Sequence, residues 1–304
     1  MDNDRLTIFT SAACNNNCIF CSDRKPDLSF KNAAWLTPEG FLKQSKKIVS
    51  LDSMLFTTCE PTLNKDLSHF ITLAKQKGYK HICLQTNGRL LRYGGYVDEL
   101  VKAGLTEVNI SVHGSSKKIH EALTRTPGGY AQTIQGLKNM IALKDIFRLK
   151  VNTCSTLTRL NYKDLYPLLR MLLSFEKIDC IILNTLMYAG NAERFFNQLF
   201  ISYSDIAKEF KKAINKLKRL YGYGKELPIK IETMPFCLMA DYENYVGIPE
   251  TPYYIKDKEK TMLPRSSVTT KASICASCRQ YKICSGVDIK YAEKFGWFEL
   301  NPIK

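Results

Sequence analysis

The feature that most constrains this chain is a repeated change of period along its length. Short β-branched or apolar runs at residues 6–10, 54–57, 81–86, 108–112, 147–154 and 178–183 alternate with longer runs of helical spacing at 38–50, 66–77, 96–103, 130–143, 160–174 and 206–220. The punctuation agrees with the periods. Thr37 and Pro38 supply an N-cap and a first-turn proline for the first helix, and Gly78 and Gly104 close two others. Asn87-Gly88 is a turn signal directly after the third strand. Six βα units in succession require a parallel sheet with right-handed crossovers. Period alone leaves open whether that sheet is doubly wound or curls into a closed or partial barrel. In either case functional groups collect at the C-terminal ends of the strands.

A chain of 304 residues accommodates one barrel-sized domain and a small appendage. The alternation stops after Pro228, and residues 234–304 are irregular, with frequent proline, tyrosine and cysteine. The expected division is therefore 1–230 for the α/β unit and 231–304 for an extension that a bound metal centre would stabilise. No apolar run is long enough to span a bilayer, and the start Met1-Asp2-Asn3-Asp4-Arg5 lacks the basic character of a signal peptide. A cytoplasmic location is expected. Eleven cysteines in a reducing compartment point to metal binding or catalysis rather than to disulfides. The formal net charge of +15 suits an acidic peptide, a nucleic acid or a phosphorylated small molecule. It equally suits a solvated lysine-rich surface. The lysines of 208–218 fit the latter, because Ile206, Phe210, Ile214 and Leu217 recur at helical spacing and leave them an outer face.

Directly after the first strand comes Cys14-Asn-Asn-Asn-Cys18-Ile-Phe-Cys21. Three thiols on one irregular loop can wrap a single soft metal centre. A 4Fe–4S cluster takes four cysteines, so three local ones would leave one iron open. A zinc knuckle is the alternative reading of such spacing. The CxxxCxxC spacing, with aromatic Phe20 before the last cysteine, resembles the signature of the radical S-adenosylmethionine (SAM) superfamily. That resemblance implies a SAM molecule chelated to the open iron and cleaved by one electron to a 5′-deoxyadenosyl radical, which abstracts hydrogen from a substrate.

Further along, Thr57-Thr58-Cys59-Glu60-Pro61-Thr62 is similar to the family's Gly-Gly-Glu-Pro motif, which holds the SAM amino group. Thr58 and Cys59 replace the two glycines, while Glu60 and Pro61 are retained. Gln85-Thr86-Asn87-Gly88 is similar to the family's Thr-Asn-Gly. Period-two alternation puts Asn109, Ser111 and His113 on one face of the fourth strand, and Asn152 and Cys154 on one face of the fifth. Polar residues inside apolar parallel strands need partners, which is a physical reason to expect a polar ligand there. The resemblance implies a partial (β/α)6 TIM-type barrel, and SAM contacts from Phe20, Thr58, Cys59, Glu60, Asn87, Ser111, His113 and Asn152. Arg125, in the loop after the fourth strand, is placed to pair with the SAM carboxylate. Cys154, if it faces the barrel mouth, could return a hydrogen atom to a substrate radical.

Cys275-Ala-Ser-Cys278-(x5)-Cys284 is a second metal-ligand spacing, and Cys237 can supply a fourth thiolate. Chemistry alone leaves structural zinc and an iron–sulfur cluster equally open. The core is similar to the SPASM and twitch extensions of the superfamily, which implies one auxiliary 4Fe–4S cluster. Asp288 stands where a longer SPASM run would carry a further cysteine. Extensions of this kind imply a ribosomal peptide or protein substrate, although no N-terminal segment reads as a leader-recognition domain. A nucleotide, tRNA or small metabolite is the alternative substrate, and a non-catalytic metal-binding protein the alternative outside enzymes. The radical chemistry also implies a reductant partner such as flavodoxin or ferredoxin, and no membrane.

Overall fold

The structure is a computed structural model that describes residues 5–10, 13–23, 35–45, 52–247, 252–256, 259–262 and 269–304. The regular part begins with β1 (Arg5–Phe9), α1 (Pro38–Gln44), β2 (Ser53–Thr57), α2 (Leu67–Gln76), β3 (His81–Thr86), α3 (Gly94–Ala103) and β4 (Glu107–Ser111). It continues with α4 (Lys117–Thr124), α5 (Gly129–Phe147), β5 (Lys150–Thr156), α6 (Leu165–Leu173) and β6 (Cys180–Asn184). Two short helices, α7 (Asn191–Arg194) and α8 (Phe196–Leu199), lead into α9 (Tyr203–Tyr221) and β7 (Ile229–Glu232). The remainder holds β8 (Val246–Gly247), β9 (Pro252–Lys256), β10 (Glu259–Met262), β11 (Thr269–Thr270), β12 (Val287–Asp288) and α10 (Ile289–Phe295).

One ten-stranded sheet runs in the order β10-β9-β1-β2-β3-β4-β5-β6-β7-β8. All its neighbours pair in parallel except β9 and β10. It is an open, partial TIM-type barrel, as the βα alternation and the family resemblance together predicted. The pleat separates two environments. Leu6, Ile8, Met54, Phe56, Val108, Ile110, Val151, Ile181, Leu183, Ile229 and Ile231 are fully buried on the side the helices cover. The residues between them face the concave side. Register aligns these in rows: Gln85 with Asn109, Asn109 with Asn152, Ser111 with Cys154, and Thr156 with Asn184, which in turn pairs with Glu232.

The helices close the outer face as their periodicity requires. In α9, Ile206, Phe210, Ile214 and Leu217 are buried and Lys208, Lys212 and Lys216 are exposed, so the lysine run there is a solvated face. Thr37 caps α1 by accepting from the Gly40 backbone N–H at 3.1 Å. The Asn87-Gly88 turn is real, with Gly88 at φ +76°, and α5 crosses it so closely that a Cβ on Gly136 would stand 2.2 Å from the Gly88 carbonyl oxygen.

Several boundaries differ from expectation. Within the described residues α1 ends at Gln44, and the expected continuation over 46–50 lies outside them. Phe147 closes α5 rather than opening β5, because the helical turn runs on to a left-handed Arg148 at φ 53°. Helix α4 and strands β7 to β10 were not anticipated. The 231–304 segment is therefore not purely irregular: β8 extends one edge of the main sheet and β9 pairs in parallel with β1 at the other. Its last helix packs on the barrel through aromatic rings, with Phe295 stacked on Phe200 at 3.7 Å and Tyr291 edge-on to Tyr203 at 4.6 Å. Among the described residues no helix is long and apolar enough to cross a membrane.

Candidate active site

A cavity of about 570 Å³ occupies the concave side of the sheet. It reaches from the loop after β1 down to Arg5 and Glu107 at the opposite ends of the strands. Cys14, Cys18 and Cys21 all line it, together with Asn16, Phe20, Ser22 and Asp23.

This loop has little secondary structure, so its backbone groups are satisfied from outside. The Asn17 and Ile19 amides donate to the Thr124 and Leu123 carbonyls at the end of α4, at 3.0 and 2.9 Å. The Ala13 carbonyl accepts from the Glu60 amide at 3.0 Å. Asn191 of α7 donates its backbone N–H to Cys21 and its side-chain amide to Cys18, both at 2.9 Å. Arg89 donates to the Asn15 carbonyl and to Asn16 Oδ1. The thiols are thus presented by a loop clamped on several sides. Burial, reinforced by the Glu60 carboxylate, pushes the Cys14 thiol up to about 12. Phe20 sits edge-on to the His113 ring at 4.5 Å between centroids.

The turn after β2 carries the altered glycine positions. Thr58 and Cys59 stand at φ 75° and 52°, the left-handed region that glycine occupies without strain. The backbone has kept a glycine-like conformation although neither residue is glycine, and both side chains line the cavity.

Glu60 corrects an expectation. Its carboxylate is fully buried and does not face the cavity. One oxygen accepts from the Thr62 amide (3.2 Å), the Thr62 hydroxyl (2.5 Å) and the Thr86 hydroxyl (2.5 Å), and the other from the Asn87 amide (2.7 Å). It fastens the β2 turn to the end of β3. Burial raises its pKa while these four donors lower it.

Asn87, Ser111 and His113 line the cavity. Asn87 donates to Asn15 Oδ1 at 2.6 Å, which ties the β3 turn to the thiol loop. His113 Nδ1 accepts from the Thr156 amide at 3.2 Å, and burial holds the imidazole neutral, with its pKa lowered to about 3. Cys154 also lines the cavity, buried, with a thiol pushed upward by desolvation and then by Glu232.

Asn152 and Arg125 are placed elsewhere. Asn152 lies beneath the cavity and gives its amide hydrogens to Glu107 Oε1 and Asn109 Oδ1, at 3.0 and 2.9 Å. Glu107 is in turn bridged by Arg5 at 3.2 Å. Arg125 forms the left-handed cap of α4 and lays its guanidinium over the Phe195 ring at 4.3 Å, outside the cavity wall.

The cavity also draws on residues that the sequence reading did not single out: Arg5, Thr7, Gln85, Glu107, Thr156, Asn184 and Glu232. Strand parity was the available signal for Gln85, Glu107 and Thr156, which are in register with or two residues from Asn109 and Cys154; Arg5, Thr7, Asn184 and Glu232 had no such neighbour among the residues singled out. Asp288 and Thr269 join them from the C-terminal segment, a contact no local pattern announces. Asp288 does not extend the cysteine set. It caps α10, accepting from the Lys290 and Tyr291 amides at 2.9 and 3.1 Å.

The second thiol set lies apart from this cavity. Cys237 sits in a 3-10 turn (Phe236–Leu238), and Cys275 and Cys278 flank the end of another (Ser273–Ser277), with Cys284 in the turns that follow. Burial raises the Cys237 thiol, and Cys284, Cys275 and Cys278 add to the rise, so the four share one neighbourhood. None of the eleven cysteines is joined in a disulfide. Among the described residues no three His, Cys, Asp or Glu side chains converge on a point suited to one metal ion. A 4Fe–4S cluster makes a different demand, one thiolate on each iron. Three thiols spread along one clamped loop beside a roomy cavity fit that group.

A partial barrel with a three-thiol loop after its first strand is the framework of enzymes that pair an iron–sulfur cluster with SAM. The chain belongs to the radical SAM superfamily: residues 8–172 match that family's model. A probable GTP 3′,8-cyclase of Saccharolobus islandicus is 28% identical over 168 residues, 55% of this chain and 52% of that protein. The Fe-coproporphyrin III synthase of Methanosarcina barkeri is 28% identical over 187 residues, 61% of this chain and 44% of that one. The chain thus spans about half the length of the curated relatives it matches. Among solved structures, Streptococcus suis SuiB bound to S-adenosylmethionine aligns over 97% of this chain and 72% of its own, with a TM-score of 0.61 and 16% identity. Native anSMEcpe with bound AdoMet aligns over 74% and 63%, with a TM-score of 0.58 and 15% identity. These structural likenesses are likenesses of fold. Membership makes the chain an enzyme and implies a 4Fe–4S cluster and SAM as its cofactors.

Proposed function

We propose that this radical SAM enzyme acts on a peptide or protein, and that its substrate does not carry a phosphate into the cavity. The observation that carries this reading is the charge of the wall. Asp23, Glu107, Glu232 and Asp288 line the cavity. Among the described residues its only lysine or arginine is Arg5, which is bridged to Glu107 at 3.2 Å. His113 is held neutral. Burial raises the pKa of Asp23 and Asp288, which tempers their charge without making either a cation. A nucleoside triphosphate needs arginines, lysines or a helix N-terminus around its phosphates. The +15 charge of the chain lies outside the chamber, on faces such as that of α9.

In this reading Cys14, Cys18 and Cys21 hold the cluster, which with SAM supplies the 5′-deoxyadenosyl radical. Thr58, Asn87, Ser111 and His113 face the cofactor, and Phe20 orients the His113 ring. Glu60 and Asn152 are positioning residues that act from behind the wall. Cys154 donates a hydrogen atom to the substrate radical. Cys237, Cys275, Cys278 and Cys284 hold a second 4Fe–4S cluster in the 231–304 extension, and a flavodoxin or ferredoxin supplies electrons.

Anaerobically reconstituted chain, given SAM and dithionite, is expected to release 5′-deoxyadenosine faster with a substrate peptide than with GTP. Faster release with GTP, accompanied by consumption of the nucleotide, would overturn the reading in favour of a nucleotide substrate. Loss of peptide product in Cys154→Ala, with 5′-deoxyadenosine release retained, is the expected signature of the hydrogen-donor role. Full product from that variant would remove it.

A further inference from the structure

Cys59 is a reactive side chain in a place that normally belongs to glycine. It follows Thr58 through a left-handed turn, a conformation that crowds the Cβ of an L-residue against its own backbone. Strain of this kind persists where the surrounding structure enforces it, and it concentrates at functional positions. The enforcement is visible. The Glu60 amide, next in the chain, donates to the Ala13 carbonyl at 3.0 Å, immediately before Cys14. The Cys59 backbone N–H donates to the Asp23 carboxylate, two residues beyond Cys21. The Cys59 turn is therefore stitched to both ends of the thiol loop. Its side chain lines the same cavity as Cys14, Cys18 and Cys21, and the Glu60–Ala13 bond sets Cys59 and Cys14 on adjoining stretches of backbone.

Cys59 thus joins the three other thiols that line this cavity. A 4Fe–4S cluster is ordinarily completed by four cysteines, so three leave one iron for a further ligand. We propose that Cys59 is a fourth, exchangeable thiolate ligand that closes the open iron of this cluster until SAM replaces it. This rests on the assignment of Cys14, Cys18 and Cys21 to the cluster. In the exchange the Cys59 sulfur–iron bond would break as the SAM amino nitrogen and carboxylate oxygen took its place, and the proton that the SAM ammonium group gives up on ligation would pass through solvent to the released thiolate. No electron moves, so the step needs neither oxidant nor reductant. The arrangement would guard the cluster when SAM is scarce and would set a threshold for SAM binding.

The test uses the full chain loaded with 57Fe, without SAM, and compares it with Cys59→Gly, a residue that the φ of 52° favours. Mössbauer spectra should show four similarly ligated irons in the unsubstituted chain and one distinct iron in Cys59→Gly. Adding SAM should bring the distinct iron out in both. A second readout follows each cysteine by iodoacetamide labelling and mass spectrometry. Without SAM, Cys59 in the loaded chain should label at least about tenfold more slowly than in the metal-free chain, because alkylation needs a free thiolate. Identical SAM-free spectra for the two proteins would overturn the proposal, and so would equal Cys59 labelling with and without the cluster. If Cys14, Cys18 and Cys21 also label freely in the iron-loaded chain, the cluster assignment itself fails and the proposal with it.

Discussion

The chain carries two sets of thiols, and they are held in different ways. Cys14, Cys18 and Cys21 ride on a loop whose backbone is tied to α4, to the β2 turn and to α7. Cys275, Cys278 and Cys284 sit in short turns whose recorded backbone bonds are largely internal: Cys278 to Cys275 at 2.9 Å, and Cys284 to Gln280 at 2.9 Å. A link to the chain end comes from the Arg279 amide, which donates to the Ile303 carbonyl at 2.8 Å. Their surroundings are exposed, with Ile274, Tyr281 and Ile283 open to solvent. The first set is held by hydrogen bonds to the surrounding fold. The second has few buried apolar neighbours of its own, and metal binding there would contribute directly to folding.

The sharpest test of this difference removes one thiol from each set. Cys18→Ala should abolish 5′-deoxyadenosine formation and remove about four irons per chain. Residues 52–221 should keep their hydrogen-exchange protection, since their strands pair with one another and pack on their own helices. The double variant Cys275→Ala, Cys278→Ala should also lose about four irons. Here the expected structural effect is larger: limited proteolysis should cut within 269–304 while the barrel remains resistant. Equal protease resistance in the two variants would show that the C-terminal set is as well organised by the protein as the first.

Much of this architecture was legible in the sequence because it is local. The alternation of periods located the six leading strands to within a few residues, and the cysteine loop was recognisable from spacing alone. What could not be read is long-range. Strand β9 pairs with β1 across nearly the whole chain, and four-residue β7 carries too short a pattern to stand out. Parity correctly put Asn109 and Asn152 on one face. It could not say that the Glu107 carboxylate waits beneath them to take the Asn152 amide. Glu60 is a similar case: its direction depends on Thr62 in its own turn and on Thr86 and the Asn87 amide at the end of β3, which no local pattern brings together.

Acid offers a second way to separate the regions. His113 and His120 lie behind the thiol loop, 5.8 Å apart between ring centroids, and burial lowers their pKa values to about 3 and about 4. Unfolded histidine titrates near 6.5, so below that pH the unfolded chain binds protons that the folded chain refuses. Stability of the barrel should be intact above about pH 6.5 and fall by about 1.4 kcal/mol per pH unit for each imidazole as pH drops toward 4. The 269–304 segment contains no histidine. Denaturant titrations from pH 7 to 4.5 are expected to show this loss in the unsubstituted chain and a shallower slope in His120→Gln. The same slope in both would assign the acid sensitivity to the carboxylates instead.

The smallest expected effect tests the strain on the two sides. Thr58, in the turn beside the first thiol set, and Thr233, four residues before Cys237 of the second, both line the cavity and both take left-handed φ, at 75° and 57°. Thr233 has compensation: its hydroxyl lies 2.6 Å from that of Thr185 and donates to the Glu232 carbonyl. Glycine there would relieve the backbone and forfeit those bonds, so Thr233→Gly should be neutral or slightly destabilising. At Thr58 the side chain faces the cavity, and relief of about 1–2 kcal/mol is offset by about 0.5–1 kcal/mol of added unfolded-state entropy. Thr58→Gly should therefore stabilise the metal-free chain by about 0.5–1 kcal/mol, read as a melting temperature higher by about 1–2 °C. A fall on Thr58→Gly would mean that the threonine makes a stabilising contact in this turn, and that the strain beside the first thiol set is compensated as it is at Thr233.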